Sequence, residues 1–552
     1  MKPGFLPSLF GRALAIVRRV PLAMTRRPFA RVHRPKAFAP IVVALTALVG
    51  TGVFPHHATS QRAPAPATAP QDVTGSQETG SQAVFAETAS RGITAAQVEA
   101  VDAVFQEWSD PAGPGAAVAV TRNGRVIYSQ GYGSAQLEYR IPVTPTTPFH
   151  VASVSKQFTT FAVALLARDG ALSWDDEVHR HLPELPDLGH PVTLRQLAQH
   201  TSGVRDQWEL LIQAGWRIDD VITRDQIMGL MMRQRELNFE PGSEYLYSNM
   251  GYSLLAEVVE RVSGQDFGEF LRERAFLPLG MHRTHVHSDH TRIVPGRAYS
   301  YAPTGNGGWR NAVLSYANQG ATSLFTTVED LGRWMAEMET PVVGDAALWA
   351  EMAEPARLNG GDTASYGLGL SVGSYRGLAT KGHGGADAGF RTNLLFFPEE
   401  GMGVVVFGNS SSFNAGRLAR EVAEVFLEDR MEPVEEPANN PPGATGGNAE
   451  EEEEGPEPLS AQVMAQYEGS FYSPELDVVY RVRVEEGALV VERPRQPEQT
   501  LTLVEPDSFR SSQWGMNRVE FVRDEEGAVV QMLVSGGRVR NVRFHRVEPW
   551  GF

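Results

Sequence analysis

The 552-residue chain contains no cysteine. That excludes disulfides, a thiolate nucleophile, and zinc or iron–sulfur sites built on thiolates. Lysine is almost as scarce. Of 49 basic residues only Lys2, Lys36, Lys156 and Lys381 are lysine. Acidic charge is plentiful. The net charge is −17, and residues 1–58 carry nine Lys or Arg and no Asp or Glu, which leaves −26 for the remainder. A body this acidic excludes nucleic acid gripped through its phosphates. The length allows two or three domains, and a chain of this size buries a large core without staples.

The N-terminus reads as a targeting segment. A basic stretch ends at Lys36, and an uncharged run follows from Ala37 to Phe54. Residues 1–58 are therefore expected to be a signal peptide, with small residues near Ala58 for cleavage; the alternative is an uncleaved anchor. Thr25-Arg26-Arg27-Pro28-Phe29 resembles a twin-arginine export signal, with Met24 as an alternative start. Either reading places the rest in the periplasm or outside the cell, with membrane contact only through that anchor.

Residues 59–90 are rich in Ala, Pro, Thr, Gln and Ser and read as a flexible linker. A second linker, 431–458, holds five consecutive glutamates, Glu450 to Glu454, and is expected to stay solvated. Between them, 91–430 forms one α+β unit. Asn123-Gly124 joins β-like runs Ala116–Thr121 and Arg125–Ser129. A helix over Ser155–Asp169 places Phe158, Phe161, Ala162, Leu165 and Leu166 on one face. A second hairpin, Thr392–Phe397 with Gly403–Gly408, precedes a helix over Gly416–Glu428. Strands at both ends of a helical middle predict one antiparallel sheet flanked by helices. In 459–552, Val478, Tyr480, Val482 and Val484 alternate strictly, which predicts a small all-β barrel. The acidic linker implies two separate cores, so 91–430 is expected to fold and react without the tail.

The scarce lysine points to chemistry. Where arginine is the default cation, a retained lysine suggests a task that needs a removable proton, which arginine cannot supply. Lys156 follows Ser153 by three residues, so both share one helix face. A helix N-terminus favours a nucleophilic oxygen, and Lys156 can take or steer its proton. Tyr247-Ser248-Asn249 supplies a phenol whose pKa a nearby ammonium would lower, making a base, and an amide to hold Lys156 or a substrate carbonyl. In His383-Gly384-Gly385-Ala386, Gly384 and Gly385 let a substrate backbone approach, and the Ala386 N–H pairs with that of Ser153 as an oxyanion hole.

These three segments, in this order and separation, resemble the motifs of class C β-lactamases and penicillin-binding proteins. Leu172-Ser-Trp-Asp-Asp176, His200-Thr-Ser-Gly203, Phe239-Glu-Pro-Gly242 and Tyr366-Gly-Leu-Gly369 extend the resemblance over about 93–429. Tyr467-Glu-Gly-Ser-Phe-Tyr472 and Arg538-Val-Arg-Asn-Val-Arg-Phe544 in the tail resemble lipocalin-like barrels appended to such hydrolases. The resemblance implies a β-lactamase/transpeptidase-like domain in which Ser153 forms an acyl-enzyme. Lys156 and Tyr247 would exchange its proton, and Asn249 and His383-Gly384-Gly385 would bind substrate. One departure stands out: His383 occupies the place of the lysine in the Lys-Thr-Gly of true class C β-lactamases, weakening any grip on a substrate carboxylate. Lys381, two residues earlier, shares a strand face and is expected to lend charge or sit at a solvated edge. His200 reads as structural.

A different enzyme class is spelled by His285-Val-His287-Ser-Asp289-His290, a zinc-ligand spacing. Only His383 and His545 follow it, too few for the further ligands such a site needs. The expected protein is an exported serine hydrolase cleaving an ester or amide in a small molecule or peptide (DD-peptidase, esterase, D-aminopeptidase or β-lactamase), with no cofactor and no metal. The alternatives are a zinc hydrolase using that string and an inactive peptide- or cell-wall-binding scaffold.

Overall fold

The computed structural model describes residues 92–315, 318–433 and 458–548. The expected targeting segment, the 59–90 linker and nearly all of the acidic linker lie outside them. Among the described residues no helix is long and apolar enough to cross a membrane.

The hydrolase region is built on a six-stranded antiparallel sheet. Strand Ala116–Arg122 lies between Arg125–Tyr132 and Met402–Gly408; Phe390–Phe397, Leu378–Asp387 and Ser371–Tyr375 follow outward. The sheet is closed by joining the two ends of the region, with Ala116 opposite Gly408 and Arg122 opposite Met402. Strand alternation divides the core into two layers. Val118, Val120, Val404 and Val406 pack with Val101, Phe105, Leu418 and Val422 from helices Ala95–Val104 and Ala415–Leu427. Ala117, Ala119, Val405 and Phe407 face the other way, toward the helices Lys156–Arg168, Asn249–Ser263 and Val328–Glu339. In Lys156–Arg168 every residue from Lys156 to Leu166 is buried. The expected helix is therefore a central one, and its amphipathic stripe is only its most apolar side. Gly170, at φ +72°, ends it in a left-handed turn.

The tail is a closed eight-stranded antiparallel barrel running from Gly469–Ser473 to Val542–Val547, its first and last strands paired. Tyr480 and Val482 point inward as the alternation predicts. The expectation of two independent cores is corrected here, because the barrel's apolar residues join the hydrolase core in one cluster. Arg205 and Glu475 form an ion pair at 2.7 Å with side chains 1% and 3% exposed. The Tyr480 hydroxyl donates to the Gln213 carbonyl at 2.6 Å, and Gln213 Nε2 donates to the Gly515 carbonyl at 2.6 Å. A charge pair this deeply buried persists only when both partners stay together. A flexible connector sets how a tail is tethered; it does not decide whether the tail docks.

Candidate active site

Ser153 stands in a 3-10 turn, Ala152–Ser155, that leads directly into the helix Lys156–Arg168. The residue before it, Ala152, holds φ at +48°. That conformation costs an alanine about 1–3 kcal/mol and is held by its surroundings. Val151 on its other side is tied by its N–H to Leu324 O (3.0 Å) and by its carbonyl to Thr392 Oγ1 (2.9 Å). Gly385 crosses here so closely that a Cβ would lie 2.4 Å from Val151 O, so the strand Leu378–Asp387 meets the Ser153 turn only because this residue is glycine.

Lys156 is fully buried one turn beyond Ser153. Its Nζ lies 3.1 Å from Ser153 Oγ, 2.7 Å from Asn249 Oδ1 and 2.8 Å from the Ala321 carbonyl. Burial brings its pKa down to about 7, with the Asp206 carboxylate acting in the opposite sense. As an ammonium Nζ donates to all three oxygens; once deprotonated it has two N–H donors for Asn249 and Ala321 and a lone pair that can accept the Ser153 proton. An arginine has no such form at this pH.

Of the two roles expected for Asn249, the geometry favours holding the lysine. Its Nδ2 and backbone N–H both donate to Asp206 Oδ2, at 2.7 and 2.8 Å. Asp206, fully buried, also caps the helix Gln207–Gln213 by accepting from Trp208 N at 3.0 Å. Its role was not read from the sequence; the only local signal is an acidic residue at a helix N-cap.

Tyr247 lies beside the pair, with Lys156 Nζ 4.9 Å from its ring centroid. The expectation that the cation lowers its pKa is corrected: burial raises it, outweighing a hydrogen bond with Ser153 and the charge of Arg538. The phenol is a proton donor at neutral pH. His383, expected to be mostly neutral at pH 7, sits in surroundings that favour the neutral ring. Its ring is buried, Nδ1 donates to Gly384 O at 2.5 Å, and Nε2 accepts from the Tyr366 hydroxyl at 2.8 Å. Burial and then the Lys156 charge lower its pKa to about 3. It is a neutral wall with both nitrogens engaged, and it offers a substrate no charge. Lys381 does not line the cavity, and burial lowers its pKa. The His200 ring packs against Tyr247 at 4.1 Å and accepts from Ser248 N at 3.1 Å, a structural position.

A cavity of about 790 Å³ opens over this cluster, lined by Ser153, Tyr247, Asn249, His383, Gly384, Gly385 and Ala386. The barrel completes it with Trp514 and Arg538; neither was expected in the site, and Arg538 was marked only as part of the barrel resemblance. The His285–His290 string lies elsewhere. His285 pairs with Phe325 in a two-residue strand and stacks on its ring at 5.7 Å; His287 contacts the same ring at 5.1 Å. Asp289 accepts from Thr291 N and Oγ1, and His290 is exposed. Among the described residues no three His, Cys, Asp or Glu side chains converge as metal ligands.

A half-buried serine against a fully buried lysine, beneath a glycine-lined strand edge, is an arrangement for acyl transfer. A β-lactamase family model matches residues 101–426. A D-aminopeptidase of Gluconobacter oxydans (strain 621H) is 30% identical over 407 residues, 72% of this chain and 75% of the relative. A D-aminopeptidase of Brucella anthropi is 31% identical over 311 residues, but the aligned region spans only 58% of it and 56% of this chain. Among solved structures, the octameric penicillin-binding protein homologue from Pyrococcus abyssi superposes at TM-score 0.52 and 20% identity, over 85% of this chain and 99% of its own. The D-amino acid amidase of Ochrobactrum anthropi SV3 superposes at 0.52 and 24%, over 61% and 100%. The chain belongs to the β-lactamase family. It is a serine hydrolase with a β-lactamase-like domain and a closed C-terminal barrel.

Proposed function

We propose that the protein is an exported hydrolase that forms an acyl-enzyme at Ser153 and returns it to water, acting on an ester or amide bond of a small peptide or amide. The observation that carries this is the contact of a fully buried Lys156 with Ser153 Oγ at 3.1 Å. Neutral Lys156 takes the hydroxyl proton as Ser153 Oγ attacks the carbonyl. The backbone N–H groups of Ser153 and Ala386 receive the oxyanion. The proton passes to the leaving group from Lys156 or through the Tyr247 phenol, and an attacking water then repeats the sequence with the roles reversed. The D-aminopeptidase and D-amino acid amidase named above support an amide-containing substrate of D configuration. The basic and apolar N-terminal segment supports export.

The test is a panel of p-nitrophenyl esters, nitrocefin, D-Ala-D-Ala peptides and D-amino-acid p-nitroanilides given to the wild type and Ser153→Ala. Turnover of at least one member, with a covalent acyl adduct in quenched samples of the wild type only, is expected. Turnover that survives in Ser153→Ala contradicts the reading.

A further inference from the structure

We infer that the barrel sets the charge of the substrate: Arg538 reads an anionic group, a carboxylate in the simplest case, beside the scissile bond. The inference rests on the acyl-enzyme reading above and adds to it the class of substrate. Arg538 sits in the loop between the barrel strands Val529–Ser535 and Val542–Val547. The loop is clamped to the hydrolase. Glu209, a buried carboxylate, accepts from Gly537 N at 3.2 Å and Arg538 N at 2.7 Å. The Arg538 carbonyl accepts from Asn238 Nδ2 at 2.9 Å. A Cβ on Gly536 would lie 2.3 Å from Glu209 Oε2 and 3.0 Å from Gly515 Cα, so a side chain there would displace the Glu209 carboxylate from the loop. The arginine is thus presented from a fixed backbone.

Its guanidinium lies over the Tyr247 ring, 4.7 Å from the centroid, and it lines the cavity that holds Ser153. Among the described residues no carboxylate lies within ion-pairing distance of it. Arg391 adds a second cation to the cavity wall, and Asp387, the acid there, has a side chain only 11% exposed and accepts from His150 Nε2 at 3.0 Å. The His383 ring is neutral, and Lys156 is fully buried and does not line the cavity. The cavity therefore presents positive charge to its occupant. A planar five-donor fork is suited to a carboxylate. A substrate with a free ammonium in the same place would meet like charge. Trp514, from the same barrel, stands with Trp208 and Ile218 on the wall, so an apolar group beside the anion is also accommodated.

The full-length protein is assayed for acylation with isosteric activated esters. On the acyl side, mono-p-nitrophenyl glutarate is compared with p-nitrophenyl pentanoate and p-nitrophenyl 5-aminopentanoate. On the leaving-group side, the acetate ester of 4-hydroxy-3-nitrobenzoic acid is compared with that of its methyl ester. In at least one arm the wild type prefers the anionic member by tenfold to a hundredfold, the scale of one charge-assisted hydrogen bond. The responsive arm identifies which side of the bond carries the anion. Arg538→Gln collapses that ratio to within about threefold, Arg538→Glu inverts it, and Arg538→Lys restores most of it. A ratio removes any common effect of Arg538 on Lys156 or Tyr247. Equal wild-type rates in both arms, or Arg538→Gln lowering all esters alike, overturns the proposal even where a variant is unstable, because the wild-type ratio stands alone. Labelling of Ser153 by a neutral fluorophosphonate is read in parallel. Labelling without charge preference removes the role of Arg538 only; failure of the wild type to label removes the acyl-enzyme reading beneath it.

Discussion

Lys156 and Asp206 are joined through a single side chain: Asn249 accepts from the lysine through Oδ1 at 2.7 Å and donates to the aspartate through Nδ2 at 2.7 Å. The amide fixes the lysine head, and the carboxylate behind it offsets part of the cost of burying a charge. The result is an amine whose pKa, about 7, matches the work of a base at neutral pH.

Lys156→Arg is expected to fold with a near-normal thermal melt and to acylate more slowly by a factor on the order of a hundred or more, the scale of lost general acid–base catalysis. The guanidinium keeps the charge but not the removable proton. Lys381→Arg, outside the cavity, is expected to cost less than about tenfold. Stopped-flow acylation of both variants checks this; a near-normal rate for Lys156→Arg shows that charge alone suffices.

The pH dependence has a definite sign. The reactive form carries neutral Lys156, so kcat/KM rises with pH through about 7 and levels off above it. Asp206→Asn removes a negative charge that favours the ammonium, so the rising limb moves to lower pH. Arg538→Gln removes a positive charge that disfavours it, so the limb moves to higher pH. Measured pH profiles of the three proteins check the directions; opposite shifts contradict the assignment of the limb to Lys156.

Glu475→Gln leaves the buried Arg205 without its close charge partner and is expected to cost about 3 kcal/mol in denaturant unfolding. A chain ending at Arg430 uncovers Arg205 and Ile212, against which Gly515 packs, and removes Trp514 and Arg538 from the cavity. Such a chain is expected to aggregate or to lose activity at least tenfold. A soluble, fully active truncated enzyme contradicts the shared core.

Short-range pattern made the sheet, the helices, the barrel and the Ser153–Lys156 pair legible, because periodicity, turn residues and a rare lysine act within a few residues. Contacts between distant segments were not legible. Asp206 reads as an ordinary helix cap until Asn249, 43 residues on, is seen to donate to it. Arg538 is one arginine among 45 until the barrel docks. For Tyr247 the sequence suggested a lowered pKa from a neighbouring cation, but burial, which only the fold reveals, acts more strongly. His383 fell in a substrate-facing motif, yet Tyr366 and the Gly384 carbonyl engage both ring nitrogens.

The most direct test is the intact mass of the protein after incubation with a fluorophosphonate probe, followed by peptide mapping. The wild type is expected to gain a single adduct on the peptide holding Ser153, and Ser153→Ala none. An adduct that persists in Ser153→Ala, or maps to another residue, contradicts the assignment of Ser153 as nucleophile.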